Sequence, residues 1–147
     1  MQTTTLYEQD FYAWTKRQIE LLQAQQWNQV DVENLIEELD SLGKQQRQEL
    51  RNRLGVLLGH LLKWYYQPEA RSKSWRATIR EQRRRVKEHL ADNPSLKPYL
   101  PEAIERGYQD GLDLIDKETP IDSRQLPQTC PFSEAQIFDE PVELEEL

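Results

Sequence analysis

The chain has 147 residues, 31% of them charged, with a net charge of −7, five glycines and a single cysteine. That length suits one domain with its own core, while the lone Cys130 excludes an internal disulfide and no apolar run is long enough for a signal peptide or a membrane span. The expectation is a cytoplasmic, all-α protein, because long Gln/Glu/Arg/Leu-rich stretches stand where a sheet protein would show short Val/Ile/Thr runs between turns.

The charge is segregated along the chain. It balances to −3 over residues 1–62, to +6 over 63–91 and to −10 over 92–147. Such asymmetry implies an electrostatic partner or one segment neutralising another.

From the N-terminus, Tyr7, Phe11, Trp14, Gln18, Leu21 and Leu22 recur every three or four residues, which predicts an amphipathic helix over Leu6 to Gln25. A Gln-rich turn surrounds Trp27. Asp31 is placed to cap a second helix with Val32, Leu35, Ile36, Leu39 and Leu42 as its apolar positions. Gly43 opens the polar stretch GKQQRQE, a candidate turn, yet Leu50, Leu54, Leu57 and Leu61 return to the angular position of Val32 and Leu39. The phase match favours a continuous or kinked helix over a turn. From Leu50 to Tyr66 the apolar surface widens, so this helix is expected at the centre of the fold.

Pro68 lacks an amide hydrogen and biases Gln67 away from helical angles, which ends the helix near Tyr66. Ser74 is the expected cap of the next helix, from Trp75 to about Leu90, broken by DNPS. A further helix begins around Pro101, carries Ile104, Tyr108, Gly111, Leu112 and Ile115 on one side, and ends by Thr119-Pro120. Ser133 and Gln136 match a capping box for a short helix bearing Ile137 and Phe138. The expected architecture is a single-domain helical bundle, residues 1–139, of four main helices plus a short C-terminal helix. Residues 140–147 are expected to form an acidic, disordered tail.

Read in order, the stretches YEQDFYAW, DVENLIEELDSLG, LLGHLLKWYYQPEARSKSWRATIREQR, NPSL and CPFSEAQIFD resemble the family called domain of unknown function 29, abundant in photosynthetic bacteria. The resemblance runs from about Leu6 to Asp139. It implies a compact helical fold in a bacterial cytoplasm, and it carries no reaction and no catalytic residues.

Three surfaces invite functional readings. Asp31, Glu37, Glu38 and His60 are the candidate ligands of a metal-dependent hydrolase, but on a helical wheel the carboxylates divide between the two borders of the apolar stripe. On a continuous helix Glu38 and His60 are also about 33 Å apart by axial rise. His60 has a plainer role at the edge of the stripe, packing its ring and bonding a neighbour; His89 near a helix end and Cys130 in a Thr-Cys-Pro loop carry no catalytic signal.

The second surface is cationic: Lys73, Arg76, Arg80, Arg83, Arg84 and Lys87, with Arg71 just before them, occupy roughly 100° of one helix face. Such a stripe follows phosphates or meets an acidic protein. No aromatic interrupts it, and the acidic tail is expected to screen it. The third is the joint of Trp64, Gln67, Pro68 and Trp75, where two helices meet and a partner protein finds anchors. These features favour a non-catalytic protein–protein interaction or regulatory module, without cofactor or membrane, whose partner is another protein. A nucleic-acid-associated protein using the Arg face and a metal-dependent hydrolase stay open as alternatives, as does the oligomeric state.

Overall fold

The computed structural model describes residues 5–144, and among them the chain is all-α with no strand. Four long helices and a short C-terminal one are present, as the periodicity predicts, together with one additional N-terminal turn. The helices are α1 (Leu6–Gln9), α2 (Phe11–Gln23), α3 (Val32–Tyr66), α4 (Lys73–Asp92), α5 (Leu100–Glu118) and α6 (Glu134–Phe138). Packing separates two compact units, divided between Lys44 and Gln45.

In the N-terminal unit the predicted helix over Leu6 to Gln25 is two helices. Asp10 leaves helical geometry and its side chain accepts the Ala13 amide (3.1 Å), capping α2. Trp14, Gln18 and Leu21 form the buried side of α2. Tyr7, Phe11 and Trp14 stack edge and face on one another, with ring centroids 4.8–5.7 Å apart. Asp31, the expected cap, does accept the Asn34 amide (3.4 Å) where α3 begins. The polar stretch after Gly43 stays helical, so α3 is continuous to Tyr66.

The larger unit is built on Leu50, Leu54, Leu57, Leu58, Leu61 and Leu62 of α3, all fully buried. Their wide stripe meets Ile79 and Val86 of α4, Ala103, Tyr108 and Ile115 of α5, and Ile137 of α6. α3 stops where Pro68 opens a single 3-10 turn, Pro68–Ala70. α4 then starts two residues earlier than predicted: Ser72, not Ser74, is the cap, its hydroxyl accepting the Trp75 amide (3.1 Å). Ser133 and Gln136 form the predicted capping box of α6. Of the segment expected to be a disordered tail, Val142 is buried and Leu144 packs on the same core, while residues 145–147 lie outside the described residues.

α3 and α5 cross at backbone distance. Gly55 and Gly59 on one helix face Gly107 and Gly111 on the other, so four of the five glycines stand at a single crossing. A Cβ on Gly111 would lie 2.9 Å from the Gly59 nitrogen, and one on Gly107 3.2 Å from the Gly55 nitrogen. Backbone cannot move aside as a flexible side chain can. Beside the crossing, Arg51 bridges to Asp110 through Nε (3.2 Å) and Nη2 (3.4 Å). Tyr108 is buried in the core and its hydroxyl donates to the Pro127 carbonyl, with burial pushing the phenol up to about 12.

The same substitution is therefore expected to act with opposite sign at two glycines. Gly43 has nothing within 4 Å of an added Cβ, so Gly43→Ala raises stability by about 0.5–1 kcal/mol through helix propensity. Gly111→Ala lowers it by about 1–3 kcal/mol through overpacking. Paired urea melts read both; stabilisation by Gly111→Ala would contradict the crossing.

Candidate functional site

Of the carboxylates and imidazole singled out as metal ligands, Asp31, Glu38 and His60 each have a structural partner. Asp31 is the hub of the N-terminal unit: it accepts Trp14 Nε1 (3.0 Å) and Asn34 Nδ2 (2.8 Å), while its own amide donates to Gln18 Oε1 (2.8 Å). The Asn34 side chain and the Trp14 indole hold its carboxyl below the usual range against partial desolvation. Glu38 accepts the Tyr7 hydroxyl, and that bond to a carboxylate pushes the phenol up to about 12. Glu37 is exposed. His60 belongs to the other unit, where its Nδ1–H donates to the Val56 carbonyl one turn back (2.8 Å) and burial lowers its pKa. Among the described residues no group of three or more His, Cys, Asp or Glu is placed to hold a metal ion.

The basic helix divides into structural and surface cations. Arg83 is buried and its guanidinium donates to three carbonyls at the end of α6: Gln136 (2.8 Å), Ile137 (2.7 Å) and Glu140 (2.6 Å). Those of Gln136 and Ile137 are among the unpaired carbonyls that a helix C-terminus leaves, and Glu140 lies two residues beyond it, so a cation there satisfies bonds and dipole together. Lys87 reaches Asp139 (3.1 Å) from the same helix. Arg84 pairs with Glu88 (3.1 Å) along α4. Arg76 and Arg80 line, with Arg83, a cleft of about 240 Å³ whose other wall is Pro141, Val142 and Glu143. The acidic segment therefore lies on the basic face. Lys73 is exposed at the first turn of α4.

At the joint, α3 gives way to α4 through the turn that Pro68 opens. Trp64 is buried, and Arg71 lies over its ring (4.8 Å to the centroid) while donating Nε to the Trp64 carbonyl (2.7 Å). Gln67 donates its amide to the Lys63 carbonyl (2.9 Å) and precedes the turn that Pro68 opens. The aliphatic stem of Lys63 is buried at this corner; its ammonium faces the Trp75 ring (5.5 Å) and pairs with Glu118 (3.0 Å). Arg71 and Trp64 thus satisfy each other, while Lys63 is satisfied by Glu118 and Trp75.

A polar groove of about 440 Å³ between α3 and α4 is lined by Gln45, Gln48, Asn52, Arg53 and Gln82 among others. Its carboxylate, Glu49, is held by Arg53 (2.9 Å) and approached by His89 (3.7 Å), whose Nε2–H donates to the Gln46 carbonyl (2.9 Å). His89 is thus a tie between α4 and α3, a role its place near a helix end did not suggest.

What the sequence reading missed lies in the N-terminal unit. Tyr7 of α1 bonds Glu38 and Trp14 of α2 bonds Asp31, so the α1–α2 segment and the first turns of α3 run antiparallel. Taking the buried side of α2 as origin, Phe11, Leu22 and Ile19 lie about 60–140° round in one sense; on α3, Val32, Ile36 and Leu39 lie about 90–150° round from its inner side in the same sense. For antiparallel neighbours, equal rotation places both flanks on one side of the pair. All six side chains are exposed, Ile36 to 61% and Leu39 to 60%. A signal was available: both helices carry more apolar residues than one contact stripe uses.

With the geometry in view, the comparisons with known proteins are narrow. The family described as "Domain of unknown function DUF29" matches residues 6–142, nearly the whole chain, and the chain belongs to it. No curated protein and no solved structure matches. No helix among the described residues is long and apolar enough to cross a membrane.

The division of the basic helix is testable by alanine substitution. Arg83→Ala is expected to lower stability by about 2–4 kcal/mol, since one buried and two partly buried carbonyls lose a charged donor. Arg80→Ala stays within about 0.5 kcal/mol. Thermal melts of the two variants distinguish them, and equal effects would contradict the structural assignment of Arg83.

Proposed function

We propose that this member of the DUF29 family is a non-catalytic, cytoplasmic interaction module that binds protein through the apolar face of its N-terminal helix pair. The observation that carries the reading is the coincidence of Phe11, Ile19, Leu22, Val32, Ile36 and Leu39 on one side of that pair, exposed to solvent. Contiguous apolar surface of this kind marks interaction sites. Leaving such side chains in water forgoes about 1.5–3 kcal/mol for each one that a partner would bury fully.

The chemistry of the remaining residues supports the same reading. Catalysis by general acid and base or by a metal needs groups held together with capacity to spare. Here Asp31, Glu38 and His60 already serve as hydrogen-bond partners to Trp14, Tyr7 and Val56. Cys130 is half-buried, burial pushes its thiol pKa up, and its sulfur contacts the Phe132 carbonyl, a setting opposite to that of a reactive thiolate. The basic helix supports a nucleic-acid reading less well, because Arg83 and Lys87 hold α6 and its following residues.

Site-specific crosslinking in native cells tests the proposal. A photo-reactive side chain at Ile36 is expected to give a discrete protein adduct; the same group at exposed Glu102 on α5 is the control. Equal patterns at the two positions, or no adduct at Ile36, would remove the basis for the reading.

A further inference from the structure

The cleft between α4 and the segment after α6 holds more positive charge than its walls answer. Arg76, Arg80 and Arg83 follow one another at intervals of four and three on α4, about 6 and 4.5 Å apart along its axis, so all three face one way. They line a space of about 240 Å³ whose opposite wall is Pro141, Val142 and Glu143. The ion pairs of α4 among the described residues are Arg84–Glu88, Arg85–Glu81 and Lys87–Asp139, so Arg76 and Arg80 make none there. Arg83 gives one N–H from each of its nitrogens to a carbonyl, which leaves two of its five N–H groups over. Even with Glu140, which meets the Tyr65 hydroxyl (3.4 Å), counted beside Glu143, three guanidinium groups face two carboxylates. One positive charge and several donors are left unanswered.

The far wall is anchored: Val142 is buried, Leu144 packs on the core, and Arg83 holds the Glu140 carbonyl (2.6 Å). The arginine that lines the cleft thus also fixes its opposite side. We propose that this cleft binds inorganic phosphate, taken as hydrogen phosphate, at a site separate from the apolar face of the N-terminal pair. Guanidinium forks match the paired oxygens of an oxyanion, and a charged acceptor makes their hydrogen bonds strong. The volume lies below the roughly 300–1,000 Å³ of sites that enclose a drug-sized ligand, so the cleft takes one compact oxyanion and not a nucleotide or a strand of nucleic acid. Glu143 selects among oxyanions. An ionised carboxylate only accepts hydrogen bonds, so it repels sulfate or a fully ionised phosphate ester, neither of which carries a proton. Hydrogen phosphate keeps one hydroxyl and can donate it to Glu143 while its other oxygens accept from the arginines.

Equilibrium dialysis of the full chain against radiolabelled inorganic phosphate, at neutral pH and constant ionic strength, tests the proposal. The expected result is one phosphate retained per chain with a Kd of about 1 mM or tighter; no saturable retention would overturn it. Arg80 is exposed, so Arg80→Gln keeps the fold and is expected to raise Kd at least about tenfold through loss of a charged donor. Arg84→Gln, on the same helix but paired with Glu88, is the control and is expected to leave Kd unchanged. Equal weakening by the two substitutions would mean that the helix attracts anions by its charge alone, and would sink the site. Competition on the unmodified chain gives an answer that needs no variant. Unlabelled sulfate and glycerol phosphate are expected to displace the label at least about tenfold less effectively than unlabelled phosphate, and equal displacement would refute hydrogen phosphate as the ligand. Glu143→Gln is expected to remove that discrimination; its survival in this variant would refute the assignment of Glu143.

Discussion

The approach of α3 to α5 at backbone distance is the constraint on which the larger unit depends. With Gly55, Gly59, Gly107 and Gly111 at the crossing, neither helix interposes side chains, and the Gly59 nitrogen stands where a Cβ of residue 111 would sit. That proximity fixes the register of α5 on α3. It also lets the leucines on either side, Leu54 and Leu58, bury completely against Ala103, Tyr108 and Ile115. Larger residues would push the helices apart and open voids along both flanks, because interiors pack near crystalline density.

Around that crossing the ionic and polar groups act mostly as fasteners. Arg83 closes the end of α6, Lys63 and Glu118 close the corner after α3, and His89 joins α4 to the Gln46 carbonyl. In the N-terminal unit Asp31 collects an indole, an amide side chain and a backbone amide in one place. Polar groups engaged in this way are costly to disturb and poorly disposed to reaction, since each is already satisfied. The surface we propose for function is apolar and lies on the N-terminal helix pair, a different place from the basic helix toward which the charge distribution points.

Helix number, helix content and most boundaries were legible in the sequence, because a stripe of leucines at intervals of three and four, a proline at position 68 and a Ser133/Gln136 box each have one common structural meaning. Boundaries failed where two residues competed for a cap: Asp10 interrupts an apolar pattern that runs straight through it, and Ser72 displaces Ser74. The continuity of α3 at Gly43 depended on phase alone, and the phase was decisive. The glycine crossing was readable only as two pairs four residues apart, and pairing them needs the fold. Arg83 was misread as surface because periodicity places it on the charged face; only the position of α6 shows that it is covered. The exposed flank of the N-terminal pair escaped notice for a related reason, since apolar residues at helical spacing look alike whether buried or bare.

Amide hydrogen exchange on the whole chain addresses the central claim that the α3–α5 crossing organises the larger unit. If it does, the slowest amides are those from Leu54 to Leu62 and from Gly107 to Ile115, and they exchange together, with a common free energy equal to that of global unfolding. Faster exchange there than in α4, or separate opening of the two segments, would contradict the account.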